Sequence, residues 1–124
     1  MLNCCYIICH IYNNKYFSLY YSSNITVIIK KIIIKLANQG IYIFYVDLNN
    51  YALFVNLTKL YNLSKVYPKI KIIINTLNRN NMILDCNFFN KIFFLTDSIV
   101  PLDLVKFCKK KNIKLSIVNI NKKN

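Results

Sequence analysis

The sequence predicts an α/β domain of Rossmann-like, three-layer type, built on a mostly parallel sheet of about four or five strands. Three observations carry that expectation. Short, nearly continuous apolar runs recur at Ile41–Val46, Ile70–Ile74, Ile92–Thr96 and Leu115–Ile120, and longer stretches with helical spacing separate several of them. Continuous apolar runs suit strands buried on both faces, which a parallel sheet requires. One stretch, Lys91–Asn121, shows the pattern whole: strand, helix, strand, and therefore a βαβ unit with a right-handed crossover. At 124 residues the chain has room for one core and not for two.

From the start of the chain, residues 1–23 are set apart as an N-terminal segment packing on the domain or on a neighbour, with residues 24–124 as the α/β domain. Cys4–Tyr12 is apolar and fits either a strand or a buried helical turn; Asn13, Asn14, Ser22 and Ser23 read as loop. Asn24 is the expected cap of a helix over Ile25–Asn38, with Ile25, Ile28, Ile29, Ile32, Ile33 and Leu36 on one stripe and Lys30, Lys31 and Lys35 on another. Its β-branched residues leave a strand over Ile25–Ile29 open. Gly40, the only glycine, is a natural helix stop.

After the strand Ile41–Val46, Asn49 or Asn50 is expected to cap a helix over Tyr51–Val66, with Leu53, Phe54, Leu57, Leu60 and Tyr61 turned inward and Pro68 beyond its end. Leu77–Asn90 is polar and Asn-rich, with Met82–Leu84 as a short edge element. In the last unit, Pro101 suits a first helical turn. Leu102, Leu104, Val105 and Cys108 form the buried stripe, Lys109–Lys111 complement the helix dipole, and Asn112 supplies a left-handed cap.

Charge narrows the function. Lys and Arg number 17 against 4 acids, a net charge of +13 on a chain that is 56% hydrophobic. A disordered basic tail lacks the apolar residues, and no segment offers the roughly 18 apolar residues of a spanning helix. Self-repulsion of this size disfavours a compact state unless a polyanion relieves it, and nucleic acid is the commonest such partner. The candidate phosphate contacts are Lys30, Lys31, Lys35, Arg79, Lys109, Lys110, Lys111, Lys122 and Lys123, with Lys69, Lys71 and Lys114 nearby in sequence. Exposed tyrosines could stack on unpaired bases. Ile, Asn, Lys, Tyr and Phe dominate, with one Gly, two Pro, no Trp and a single Arg, the signature of an AT-rich genome such as organelles carry.

Catalytic equipment is sparse, and the sequence predicts no enzyme, no cofactor and no metal. Five cysteines without a CxxC pair, and no visible signal peptide or Arg-rich leader, fit a reducing interior compartment and synthesis within the organelle. Cys4, Cys5, Cys9 and His10 raise a metal site, but adjacent cysteines point to different sides and no second ligand pair follows. Asp47 and Asp97 end predicted strands, where open α/β sheets place ligands. There they could hold Mg²⁺ in an enzyme or receiver-like domain, or cap a helix or satisfy loop amides. No Gly-rich turn follows a strand, so dinucleotide and P-loop binding are not expected.

Three segments carry a family resemblance: GIYIFYVDLNN at Gly40–Asn50, KIIINT at Lys71–Thr76, and KIFFLTDSIVPLDLVKFCKKKNIKLSIVNIN at Lys91–Asn121. In this order they resemble the bacterial-type small-subunit ribosomal protein two family, over about two-thirds of the 124 residues. The family's helical-hairpin insertion and its Arg-Trp-x-Gly-Gly-x-Leu-Thr-Asn segment have no counterpart, so the chain resembles a shortened organellar form. The resemblance implies a structural role in an organellar, foremost mitochondrial, small ribosomal subunit. Its partners would be rRNA and neighbouring ribosomal proteins, with no membrane insertion. The C-terminal unit alone also resembles the kink-turn-binding ribonucleoprotein family, without that family's Gly-Asn-Glu turn.

Overall fold

The computed structural model describes residues 3–75 and 85–120. Five strands, β1 (Cys4–His10), β2 (Ile43–Leu48), β3 (Lys71–Asn75), β4 (Lys91–Thr96) and β5 (Lys114–Asn119), form one sheet in the order β3-β2-β1-β4-β5. Every neighbouring pair is parallel. The chain starts in the middle, walks outward to β3, then returns to the other side of β1. The direction of travel therefore reverses between β1 and β4, the place where such sheets open a ligand crevice at the carboxyl ends of their strands.

The least legible stretch of the sequence is the centre of the fold. In β1, Cys5, Ile7 and Cys9 enter one core, while Cys4, Tyr6 and Ile8 enter the other. A strand buried on both faces has no alternation to read, so periodicity could not separate it from a buried helix. The segment set apart as residues 1–23 thus supplies the middle of the sheet, and the boundary at residue 24 falls inside a helix. Loss of one such buried side chain, as in Ile7→Ala, costs about 2–5 kcal/mol.

That helix, α1 (Leu19–Ala37), begins well before Asn24 and has Ser18 at its N-cap. The serines expected to be loop are helical, and the Ser22 hydroxyl is satisfied by bonding back along the turn. Ser22 Oγ donates to the Ser18 carbonyl and Thr26 Oγ1 to the Ser22 carbonyl, at 2.9 Å each. Ile25, Ile29, Ile33 and Leu36 are buried and Ile28 and Ile32 pack beside them, which settles the open choice in favour of helix. Gly40 ends it at φ 92°, with the Ile41 amide reaching the Leu36 carbonyl and the Gly40 amide that of Ala37.

Between β2 and β3 the expected single helix is broken into short pieces, α2 (Phe54–Leu57) and α3 (Leu63–Val66), joined by 3₁₀ turns. Asn, Thr and Tyr compete poorly for a regular helix, and the tighter turns follow. Asn50 caps the entry through its side-chain oxygen, 2.8 Å from the Ala52 amide. Leu53, Leu57 and Leu60 are buried as expected, but Tyr61 is exposed and Leu63 takes the inward place.

These pieces and α1 cover one face of the sheet; α4 (Leu102–Lys110) covers the other over β1, β4 and β5. In α4 the buried residues are Leu104 and Cys108 with Val105 and Phe107 partly covered, while Leu102 is exposed because the helix starts only there. Asn112 closes it at φ 57°, as its sequence position suggested. The expected element at Met82–Leu84 lies outside the described residues.

Candidate nucleic-acid interface

The carboxyl edge is where a small-molecule site would stand, and the chain's own groups fill it. Asp97, just past β4, sits across the switch point from the loop leaving β1. Its carboxylate accepts the amides of Tyr12 at 3.0 Å and Asn13 at 2.8 Å. In a nucleotide-binding sheet the amides after the first strand face phosphate. Here they face a carboxylate, which also repels one.

Asn49, just past β2, clamps the same loop from its other side. Its Oδ1 accepts the Ile11 amide and its Nδ2 donates to the Ile11 carbonyl, both at 2.9 Å. Asp47 is 3% exposed and accepts the Tyr6 hydroxyl at 2.7 Å, which together with burial pushes that phenol's pKa up. Asp47 and Asp97 thus hold a tyrosine and a loop respectively, and the sequence alternative in which aspartates satisfy loop amides describes Asp97. Asn49 was expected at most to cap a helix. Its pairing with Ile11 spans 38 positions and left no local signal.

The remaining titratable groups of β1 are buried or, at His10, half-buried. His10 ends the strand edge-on to Phe94, ring centroids 5.6 Å apart, and burial lowers its pKa below the ordinary 6.5. Cys5 and Cys9 lie in one core and Cys4 in the other, and burial raises the Cys5 and Cys9 thiols to about 12. Among the described residues no group of three or more His, Cys or Asp side chains could hold a metal ion.

A cavity of about 520 Å³ opens on the second sheet face beside β2 and β3. Its described walls are aromatic, with Tyr6 stacked on Phe89 at 4.7 Å and Tyr45 edge-on to Phe89 at 5.2 Å. The charged groups among its described walls are Asp47 and Asp85. That is the wrong sign for a phosphate.

The lysines lie elsewhere. Lys30, Lys31 and Lys35 are exposed along α1 in one helix layer; Lys109, Lys110 and Lys111 are exposed at the end of α4 in the other. The sheet separates these two sequence clusters. Lys30 shares a groove of about 390 Å³ with Lys59, between α1 and the broken helix. Arg79, Lys122 and Lys123 lie outside the described residues. Of the described tyrosines, Tyr12 and Tyr51 are the most exposed, at 62% and 68%, while Tyr6 and Tyr16 belong to the cores. No described helix is long and apolar enough to cross a membrane.

The sequence also missed a repeated feature. Lys71, Lys91 and Lys114 each open a strand, ahead of the runs KIII, KIFF and KLSI. The repeat was visible, but only the sheet order gives it meaning. Compared with protein-family models, with curated proteins and with solved structures, the chain has no match in any of the three.

Proposed function

We propose that this protein is a non-catalytic, RNA-bound component of an organellar small ribosomal subunit, foremost a mitochondrial one, held to rRNA by lysine–phosphate contacts. One observation carries the reading: a folded domain of net charge +13 exposes its lysine groups on both helix layers, while its crevice is tied shut by Asp97 and Asn49. Exposed lysines against so few acids leave repulsion that a polyanion relieves. The family resemblance of the two βαβ regions supplies the particular assembly. Neighbouring small-subunit proteins then cover the apolar surface that the domain leaves open, such as Ile73 on β3 and Ile117 on β5.

The test is co-sedimentation with small ribosomal subunits from the organelle in a gradient, with release by high salt. Recovery only in a free or a membrane fraction overturns the assignment. In isolation, affinity for rRNA fragments should fall steeply with salt, because each neutralised phosphate frees a counterion.

A further inference from the structure

In a parallel sheet all strands begin at one edge, and the crossover helices end there too. The chain order therefore decides which charges meet at that amino edge. Lys71, Lys91 and Lys114 open β3, β4 and β5. Lys109, Lys110 and Lys111 end α4 on its way into β5, Lys65 is in the last turn of α3, and Lys69 follows just before β3. Lys35 lies in the last turn of α1. Of the acids, Asp47 and Asp97 lie at the opposite edge, and Asp103 is in the first turn of α4, which begins there. The remaining acid, Asp85, lines the cavity beside β2 and β3.

Two structural explanations cover part of this. Lysines in last helical turns complement the helix dipole, which accounts for Lys35, Lys65 and Lys109–Lys110. Lys69 sits over the Tyr42 ring at 5.6 Å, a cation–π contact. Neither covers the strand-opening lysines. Lys91 and Lys114 are direct partners in the β4–β5 register, so their side chains leave the sheet on the same side, one strand spacing apart. Like charges directly opposite each other destabilise a ladder. Lys109–Lys111, a few residues upstream, add like charge to the same end of the ladder. A like-charge cost kept at two adjoining strand starts, with a third lysine opening β3 on the same edge, is what a phosphate-binding surface looks like.

We infer that the amino edge of the sheet is the RNA-docking face, with Lys71, Lys91 and Lys114 placed to contact backbone phosphates. This rests on the RNA-bound reading and narrows it to one end of the domain. It makes the protein a reader of backbone geometry, since lysine–phosphate contacts position without selecting sequence. It also moves the interface away from the carboxyl edge, where α/β sheets usually hold ligands.

The experiment compares two charge-matched variants of the full chain. In one, Lys71, Lys91 and Lys114 become Gln; in the other, Lys15, Lys59 and Lys106, which lie at the carboxyl edge or partway along the helical segments, become Gln. Binding to an RNA duplex is measured against salt. The edge variant should bind at least tenfold more weakly at moderate salt, with a log–log salt slope shallower by roughly two to three, as three lost phosphate contacts require. The control should stay near the parent protein.

Equal losses in both variants overturn the amino-edge inference while leaving RNA binding intact. A parent protein that ignores RNA but binds anionic vesicles overturns the functional reading itself. Thermal unfolding without RNA adds a second readout: Lys114→Gln should raise Tm while weakening RNA binding. A lowered Tm would mean that Lys114 is structural, and would overturn its part in docking.

Discussion

The two edges of this sheet use charge in opposite ways. At the carboxyl edge three polar side chains find partners within the chain: Asp97 takes two loop amides, Asn49 clamps Ile11, and Asp47 takes the Tyr6 hydroxyl. At the amino edge lysines gather beside one another, and two of them face each other across a ladder. At one edge these side chains are tied to the chain's own groups. The other is a surface that stays electrostatically unfinished. On the proposal above, function in this α/β scaffold lies away from the edge where such sheets usually keep a ligand, and at the edge where like charges stand together.

If that contrast holds, changes at the carboxyl edge should act on stability and leave RNA affinity alone. The largest effect is expected for Asp47→Ala, which strands the buried Tyr6 hydroxyl. An orphaned buried donor costs about 1–3 kcal/mol, and the small cavity adds to it, so a loss of about 3 kcal/mol in urea unfolding is expected. A loss below about 1 kcal/mol would show that Tyr6 finds water instead. Mg²⁺ titration of the parent protein belongs beside this measurement. A rise in Tm with Mg²⁺ that disappears in Asp97→Asn would break the contrast and restore the enzyme alternative.

Next comes Asn49→Ala, which removes both hydrogen bonds to Ile11 and should cost about 2 kcal/mol, since a net hydrogen bond contributes about 1 kcal/mol. Asp97→Asn comes below it, at about 1 kcal/mol, because these bonds are exposed and the amide oxygen can still accept one of them. Either variant that instead weakens RNA binding more than tenfold would move the interface back to the carboxyl edge.

The smallest effect is a pH dependence. Burial holds the folded His10 below its ordinary value of 6.5. The unfolded chain then binds more protons just under 6.5, so stability is full above that pH and is lost as pH falls through the lower folded value. His10→Gln should flatten this step in a pH series of urea midpoints. An unchanged slope would assign the step to other groups.

Much of the scaffold follows from local signals along the chain. The βαβ unit of β4, α4 and β5 was legible because one apolar stripe, one proline and one left-handed Asn112 stand at the right spacings, all local signals. The stripe of α1 and the stop at Gly40 were legible for the same reason. The absence of a Gly-rich turn was plain, and so was the charge excess.

Tertiary structure decided the rest. β1 became the sheet's centre because a strand covered on both faces carries no period, and only its neighbours reveal its place. The start of α1 moved forward to Leu19, a choice favoured once Ser22 is buried against Asn56 with its hydroxyl bonded inside the helix. Asn49 and Asp97 found partners 38 and 85 positions away. The lysines of three separate strand starts came to share one edge, and two of them, Lys91 and Lys114, became direct neighbours, because parallel strands bring together what the chain keeps apart. Composition could count those charges, but only sheet order could place them on one edge.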